Sequence, residues 1–474
     1  MLKSQRIPTD SSSQKDMGKQ RSYNEIIECL DASWNTNSQD ASLSCIKALD
    51  KELGSISKQL TTVFVGGTNG KGTTAHFTAA LLHEEGLTVG ILQHPHILAY
   101  NERLLVNNEP ISNKIFTEIG NTVLNTAKLL SLTPSTRDIL VMMALLYFKQ
   151  NNVHLALLEI GAEGLFHPAN VCPAKIVAIT RVVEEIDTLN NKVDIAKIRE
   201  SLSIVKPGML VVSADQGKLN LQSMQNVVEE MGATWVMPIR KLAPLQYPFE
   251  QLHGRCAALA ERIARIYAND LAPEGTIGDI SSLLTQKRGQ RGRPTSEAKK
   301  QLEQHPRRTV DQFWKETLCA LPGRFQMLEK EKPTILLDNA SNLDALENLL
   351  LGIRLLNYKR PFKGLALIIG ADHADLDKPD FFKLLRYFFK KTSGRAIIYP
   401  ATPSPFAQNA SKWNPEKIAT EIKNMKIKAQ PTASFAEAFE AAQKVVDERN
   451  GLIAVTGSTQ AIADYWNYKG MKKV

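Results

Sequence analysis

The chain has 474 residues, 43% of them apolar and 23% charged, with a formal net charge of +9. That length exceeds one compact core and suits two or three domains. No uninterrupted apolar stretch approaches about 18 residues, which excludes a membrane-spanning helix. Cys29, Cys45, Cys172, Cys256 and Cys319 are scattered with no CxxC pair, which argues against a zinc site or a disulfide framework and for a reducing cytoplasm.

In chain order, residues 1–20 are polar and lack the apolar core of a secretion signal, so a disordered tail is expected there. TTVFVGG (61–67) is a β-rich run ending in glycine. From Thr73 to Glu85 apolar residues recur at helical spacing, with His83 and Glu84 outward. TVGILQ (88–93), LALLEIG (155–161), KIVAIT (175–180) and MLVVS (209–213) are short and continuously apolar, as parallel strands buried on both faces are. Helical patterns at 136–149, 194–205 and 218–231 fall between them. This alternation predicts an α/β fold with a doubly wound parallel sheet.

Between Lys287 and Arg308 stand eight Lys/Arg against Glu297 and Glu303, so this segment holds six of the nine net charges. With almost no large apolar residue it cannot pack a core; it reads as a solvated linker, or as an arm binding RNA or phosphate. The pattern then restarts. TILLD (334–338), GLALIIG (364–370), RAIIYP (395–400) and LIAVTGS (452–458) are strand candidates, with helices around 342–356, 379–390, 415–424 and 433–448. A nucleotide-binding domain over 21–285, a basic linker over 286–320 and a smaller Rossmann-like α/β domain over 321–474 are expected.

The strongest chemical signal is VFVGGTNGKGTTA (63–75). A buried strand, glycines that turn backbone N–H groups toward an anion, and a helix N-terminus make a phosphate cradle. Gly67, Thr68, Asn69, Gly70, Lys71, Gly72, Thr73 and Thr74 are the candidate nucleotide-binding residues. Lys71 is the mobile cation for the β/γ-phosphates and Thr73 the magnesium hydroxyl. A glycine-rich hairpin turn is the bland alternative.

GTNGKGT resembles the variant phosphate loop of the Mur ligases, and especially of the folylpolyglutamate and dihydrofolate synthases. HPHILAYNERLLVNNEPIS (94–112), RDILVMMALLYF (137–148), LLEIGAEGLFHPAN (157–170), IVKPG (204–208), LPGRFQ (321–326), LLDNASN (336–342) and VTGS (455–458) are similar to further family motifs in the same order. The resemblance covers nearly all of the chain after Tyr23. It implies a Mur-ligase-like P-loop fold and ATP-dependent amide formation, in which a folate or dihydropteroate carboxylate is phosphorylated and then attacked by glutamate. It implies ATP and Mg2+ as cofactors, Glu159 as a magnesium ligand, Arg324 reaching the ATP, and Asp338 and Asn342 at the nucleotide. With Lys71, Arg324 and Asp338 form the candidate catalytic set, in a cytoplasmic monomer.

The sequence departs from that pattern in the metal region. Glu163, Leu165 and His167 replace a glycine, an arginine and an aspartate, and His94 stands where serine is usual. Ile186 replaces a metal-binding histidine, Ser201 a lysine that is often carbamylated, and Ser341 another histidine. Glu184, Glu185 or Asp187 could supply an oxygen to a metal instead. A second hypothesis is therefore a non-catalytic nucleotide-binding protein, and a third a ligase for a cell-wall precursor. GADHADLD (370–377) reads as a solvated turn or a metal loop, and His154 and His253 as structural residues.

Overall fold

The computed structural model describes residues 18–34, 43–161, 164–183, 193–214, 216–277, 283–284, 308–318, 321–371, 376–403 and 413–471. The expected tail up to residue 17, Glu163, Glu184–Asp187, the basic residues 287–307 and Asp372–Asp375 lie outside them.

Sheet one contains β1 (Thr62–Gly66), β2 (Val89–Leu92), β3 (Leu104–Val106), β4 (Glu109–Pro110), β5 (Leu155–Glu159), β6 (Ile176–Ile179), β7 (Leu210–Ser213) and β8 (Thr234–Val236), in the order β4-β3-β2-β5-β1-β6-β7-β8. Alternate residues of β1 point to opposite faces. Phe64 joins a core with α1 (Tyr23–Ala32), α2 (Ser44–Glu52), α4 (Asn113–Leu129), α5 (Thr136–Gln150), α6 (Ile195–Ser201) and α7 (Lys218–Glu230). Val63 and Val65 join the other, with α3 (Lys71–Glu84), α8 (Phe249–Ile266) and α9 (Val310–Glu316). Helices on both faces explain why the central strands carry no polar alternation.

Sheet two contains β9 (Gln326–Leu328), β10 (Thr334–Leu337), β11 (Leu365–Ala371), β12 (Arg395–Pro400), β13 (Ala429–Pro431) and β14 (Leu452–Thr456), in the order β13-β12-β11-β14-β10-β9. α10 (Leu343–Lys359), α11 (Pro379–Thr392) and α12 (Pro415–Asn424) cover one face, and α13 (Phe435–Gln443) and α14 (Thr459–Tyr468) the other.

The expected parallel sheets are present, with antiparallel additions at two edges: β3 and β4 beside β2, and β9 beside β10. The β3–β4 hairpin turns at Asn107 and Asn108, both at positive φ (52° and 67°), which suits the right-handed twist of the strands it joins. Part of the segment read as a linker is packed: α9 buries Phe313 and Trp314, and Trp314 meets Phe77 edge-on at 5.3 Å. Arg308, the last residue of the basic run, pairs with Glu84 at 2.6 Å and Glu316 at 2.7 Å. Among the described residues no helix is long and apolar enough to cross a membrane.

Candidate active site

β1 delivers the phosphate loop from the centre of sheet one. Gly67 (φ 109°) and Gly70 (φ 93°) take conformations that side chains disfavour, and a Cβ on Gly67 would sit 3.0 Å from the Thr180 backbone nitrogen. The loop is pinned where the Thr68 and Asn69 N–H groups donate to the Arg181 carbonyl at 2.8 and 3.2 Å. Gly70 caps α3 with no side chain, so the first N–H groups of the helix are left to an anion. Lys71 Nζ donates to the Gly67 and Thr68 carbonyls, each at 3.1 Å, and stands 3.7 Å from Glu159 Oε1. Glu159 ends β5 beside Val65 and is buried.

Sheet two supplies the opposite wall. Asn69 Nδ2 donates to Asn342 Oδ1 at 3.0 Å and to Asp344 Oδ2 at 2.7 Å, and Arg181 Nε pairs with Asp344 at 2.7 Å. The Arg324 guanidinium packs so closely on Gly72 that a Cβ there would collide with it. Asp338, just past β10, accepts the Phe325 N–H at 2.8 Å, fixing the turn that carries Arg324.

These residues enclose a cavity of about 630 Å³ bordered by Thr68 to Thr73, Glu159, Arg324, Asp338 and Asn342. Gly67 and Thr74 do not border it. The Thr74 side chain is wholly buried, because one step along α3 turns it about 100° from Thr73.

Burial raises the pKa of Glu159, and Lys71 and Arg324 oppose that shift. Burial lowers the pKa of Arg324, opposed by Glu159 and Asp338. Asp338 is pushed up to about 7 by burial, against the Phe325 and Ala340 N–H groups. Lys71, Arg324, Glu159 and Asp338 thus meet around the cavity, where burial works against the charge on Glu159, Arg324 and Asp338 and their opposite charges work against that shift.

The third wall comes from the 94–103 segment. Glu102 accepts the N–H groups of Ile97, Leu98 and Ala99 at 2.7 to 2.9 Å, which folds the chain back on itself. Arg103 is buried between the Trp34 and Tyr100 rings (5.4 and 5.3 Å) and points Nε at His96 Nδ1 and Nη1 at His94 Nδ1, both at 2.7 Å. His94 borders the cavity; its backbone N–H donates to Glu159 Oε2 at 3.3 Å, and its ring lies 5.9 Å from the His167 ring.

His253 and Cys256 of α8 also border the cavity, although neither was a candidate from the sequence. His253 stacks on Phe249, and its only signal was an apolar helical stripe. His154 is structural: its Nδ1 accepts the Thr88 N–H at 3.0 Å.

Thr73 and Glu159 offer a hydroxyl and a carboxylate, oxygen donors that suit Mg2+. A second cation fits the described residues poorly. Ser201 ends α6 and does not border the cavity, and the Arg103 guanidinium lies behind His94. No group of three His, Cys, Asp or Glu among the described residues could hold a metal. In GADHADLD, Asp377 pairs with Lys417 at 2.6 Å.

No family model matches the chain. Over 319 residues it is 29% identical to the dihydrofolate synthase/folylpolyglutamate synthase of Bacillus subtilis, covering 65% of this chain and 70% of that protein. Over 329 residues it is 26% identical to the folylpolyglutamate synthase of Lacticaseibacillus casei, covering 67% and 73%. It superimposes on Mycobacterium tuberculosis folylpolyglutamate synthase complexed with ADP with a TM-score of 0.70 at 18% identity, over 95% of this chain and 98% of that one. For the bifunctional Yersinia pestis synthase complexed with AMPPNP and Mn ion the TM-score is 0.68 at 19% identity, over 96% and 100%. The chain is similar in sequence to folylpolyglutamate and dihydrofolate synthases over about two thirds of its length, and it shares the fold of their solved structures.

Proposed function

We propose that the chain is an ATP-dependent ligase that joins glutamate to the carboxylate of a folate or a dihydropteroate through an acyl phosphate. The observation that carries this reading is the convergence of Lys71 from sheet one and Arg324 from beside sheet two on one cavity at the phosphate loop. The loop N–H groups and the α3 N-terminus receive the phosphates, Lys71 neutralises the β/γ-oxygens, and Arg324 adds charge from the opposite wall. Asp338 positions Arg324 through the Phe325 N–H, and Asn342 ties the C-terminal wall to the loop through Asn69. Bound at Thr73 and Glu159, Mg2+ would neutralise phosphate charge. In this reading residues 21–285 bind ATP, residues 321–474 serve the glutamate step, and the protein acts as a cytoplasmic monomer.

A non-catalytic nucleotide-binding protein is the second reading, favoured by Ser201 lying off the cavity and by Ser341 in its wall. The test is ADP release and product formation from ATP, Mg2+ and glutamate with dihydropteroate or tetrahydrofolate in turn. Glutamylation of either pterin supports the ligase. ATP binding with no glutamylated product in either reaction supports the second reading.

A further inference from the structure

Arg181 follows β6 and is tied to the phosphate loop by its own backbone, since its carbonyl accepts the Thr68 and Asn69 N–H groups at 2.8 and 3.2 Å. Those two N–H groups are already committed, so the donors left for phosphate begin at Gly70 and the start of α3. Arg181 therefore stands beside the phosphate cradle rather than in it. Its Nε edge is buried against Asp344, with Nε 2.7 Å from Oδ1, and Asp344 Oδ2 accepts the Asn69 amide at 2.7 Å. A guanidinium presents donors along its Nε side and a second fork at its Nη1/Nη2 end. Asp344 takes the Nε side, and no other side chain among the described residues partners Arg181. Arg181 borders the cavity with its side chain 42% exposed, against 17% for Lys71, so its free end meets what enters while Lys71 stays inside the loop.

We propose that the Nη1/Nη2 end of Arg181 binds a carboxylate of the acidic substrate that enters beside the nucleotide. This makes Arg181 a specificity-determining residue for the ligase reaction proposed above, on which the inference rests. Two parallel N–H donors match the two oxygens of a carboxylate, which adds orientation as well as affinity. Asp344 holds the guanidinium before the substrate arrives, so little side-chain freedom remains to be lost on binding. It also offsets the Arg181 charge, so recognition depends on the paired donors rather than on a bare cation. A lysine would present a point charge without that fork. The carboxylate belongs either to glutamate or to the pterin-bearing substrate, and the two are measured separately.

The test titrates wild type, Arg181→Gln and Arg181→Lys calorimetrically with Mg-AMPPNP. Each AMPPNP-saturated protein is then titrated with L-glutamate, dihydropteroate and tetrahydrofolate, which reads binding without requiring turnover. Arg181→Gln should weaken either glutamate or the pterins about tenfold or more, the loss expected for hydrogen bonds to a charged group, and leave AMPPNP within about twofold. Arg181→Lys, which keeps the charge without the fork, should recover little of that loss. A loss confined to glutamate assigns the fork to the amino acid, and a loss confined to the pterins assigns it to the acceptor. Retained AMPPNP binding shows that a variant is folded; if Arg181→Gln does not fold, Arg181→Lys carries the same comparison. Four outcomes would overturn the proposal: AMPPNP weakened as strongly as a carboxylate ligand, equal weakening of glutamate and pterins, no weakening at all, or full recovery in Arg181→Lys. Wild type that binds none of the three carboxylates overturns it as well. If the Arg181 dependence appears but no pterin is glutamylated, only the ligase reading fails. If glutamylation proceeds and Arg181→Gln binds every ligand as wild type does, only the Arg181 assignment fails.

Discussion

Asn69 and Asn342 exchange amide hydrogen bonds in both directions, Nδ2 to Oδ1 at 3.0 and 2.9 Å, across 273 residues of sequence. Asn342 Oδ1 also accepts the Ala345 N–H at 3.0 Å as the N-cap of α10. One side chain therefore starts a helix of the C-terminal unit and grips the phosphate loop of the other. Asn342→Ala should destabilise the protein by about 1–2 kcal/mol through the lost cap and pair. It should also raise the KM for ATP, because the two walls lose a direct tie. Chemical denaturation and steady-state kinetics read the two effects, and an unchanged KM would show that Arg181 and Asp344 hold the walls without it.

Lys71→Ala should weaken ATP about tenfold or more, since a cation contributes roughly 1.5–3 kcal/mol to an anionic partner in a partly dry site. Lys71→Arg should recover little, because the guanidinium fork does not fit the space between two loop carbonyls. Calorimetric titration measures both, and wild-type affinity in Lys71→Ala would remove the basis for the phosphate loop.

His76 and His253 are both buried, and burial lowers each to about 4, with the Arg324 charge acting in the same direction. A lowered histidine binds fewer protons folded than unfolded between about pH 6.5 and 4. Stability from this source is thus complete above about pH 6.5 and falls as pH drops through that window. By pH 5 the loss should be on the order of 2 kcal/mol per histidine. Denaturant unfolding at pH 7.5 and 5 should show it, and His76→Gln with His253→Gln should flatten the difference.

The basic run and α9 should separate on deletion. Removing 287–306, which spares Arg308 and its pairs with Glu84 and Glu316, should shift Tm by less than about 5 °C. Trp314→Ala should instead cost about 3–5 kcal/mol, since the indole is fully buried against Phe77. If the deletion also lowers Tm strongly, the run is packed rather than solvated. If it abolishes RNA binding at unchanged Tm, the run is an arm.

With Thr73 and Glu159 as oxygen donors and the Arg103 guanidinium behind His94, one divalent cation should bind per nucleotide. Manganese titration of the AMPPNP complex followed by electron paramagnetic resonance counts the ions. Two tight ions in wild type would point to Glu184, Glu185 or Asp187 as the second ligand.

The strand runs and the glycine-rich loop after β1, most of which borders the cavity, were legible because their chemistry is local. A continuous apolar run can only be a buried element. Glycines, a lysine and a hydroxyl in a strand-to-helix turn carry their function in their own order. Arg324, Asp338 and Asn342, which border the cavity, were singled out by the resemblance of LPGRFQ and LLDNASN to family motifs and not by local chemistry. Edge strands such as β4 and β13 left no signal, since two or three residues make no pattern and their pairing belongs to the neighbouring strand.

Other features depended on contacts between residues far apart in the chain. The turn of α3 puts Thr73 in the wall and Thr74 in the core, and only the packed helix shows which faces the cavity. His253 reads as a structural residue from the sequence and borders the cavity because α8 packs on α3, where its ring lies 6.4 Å from Phe77. His94 Nδ1 meets Arg103, whose guanidinium is held between two rings by tertiary packing. Sequence determines which groups a site can contain; the direction of each donor and lone pair is set by neighbours that only the folded chain brings within 3 Å.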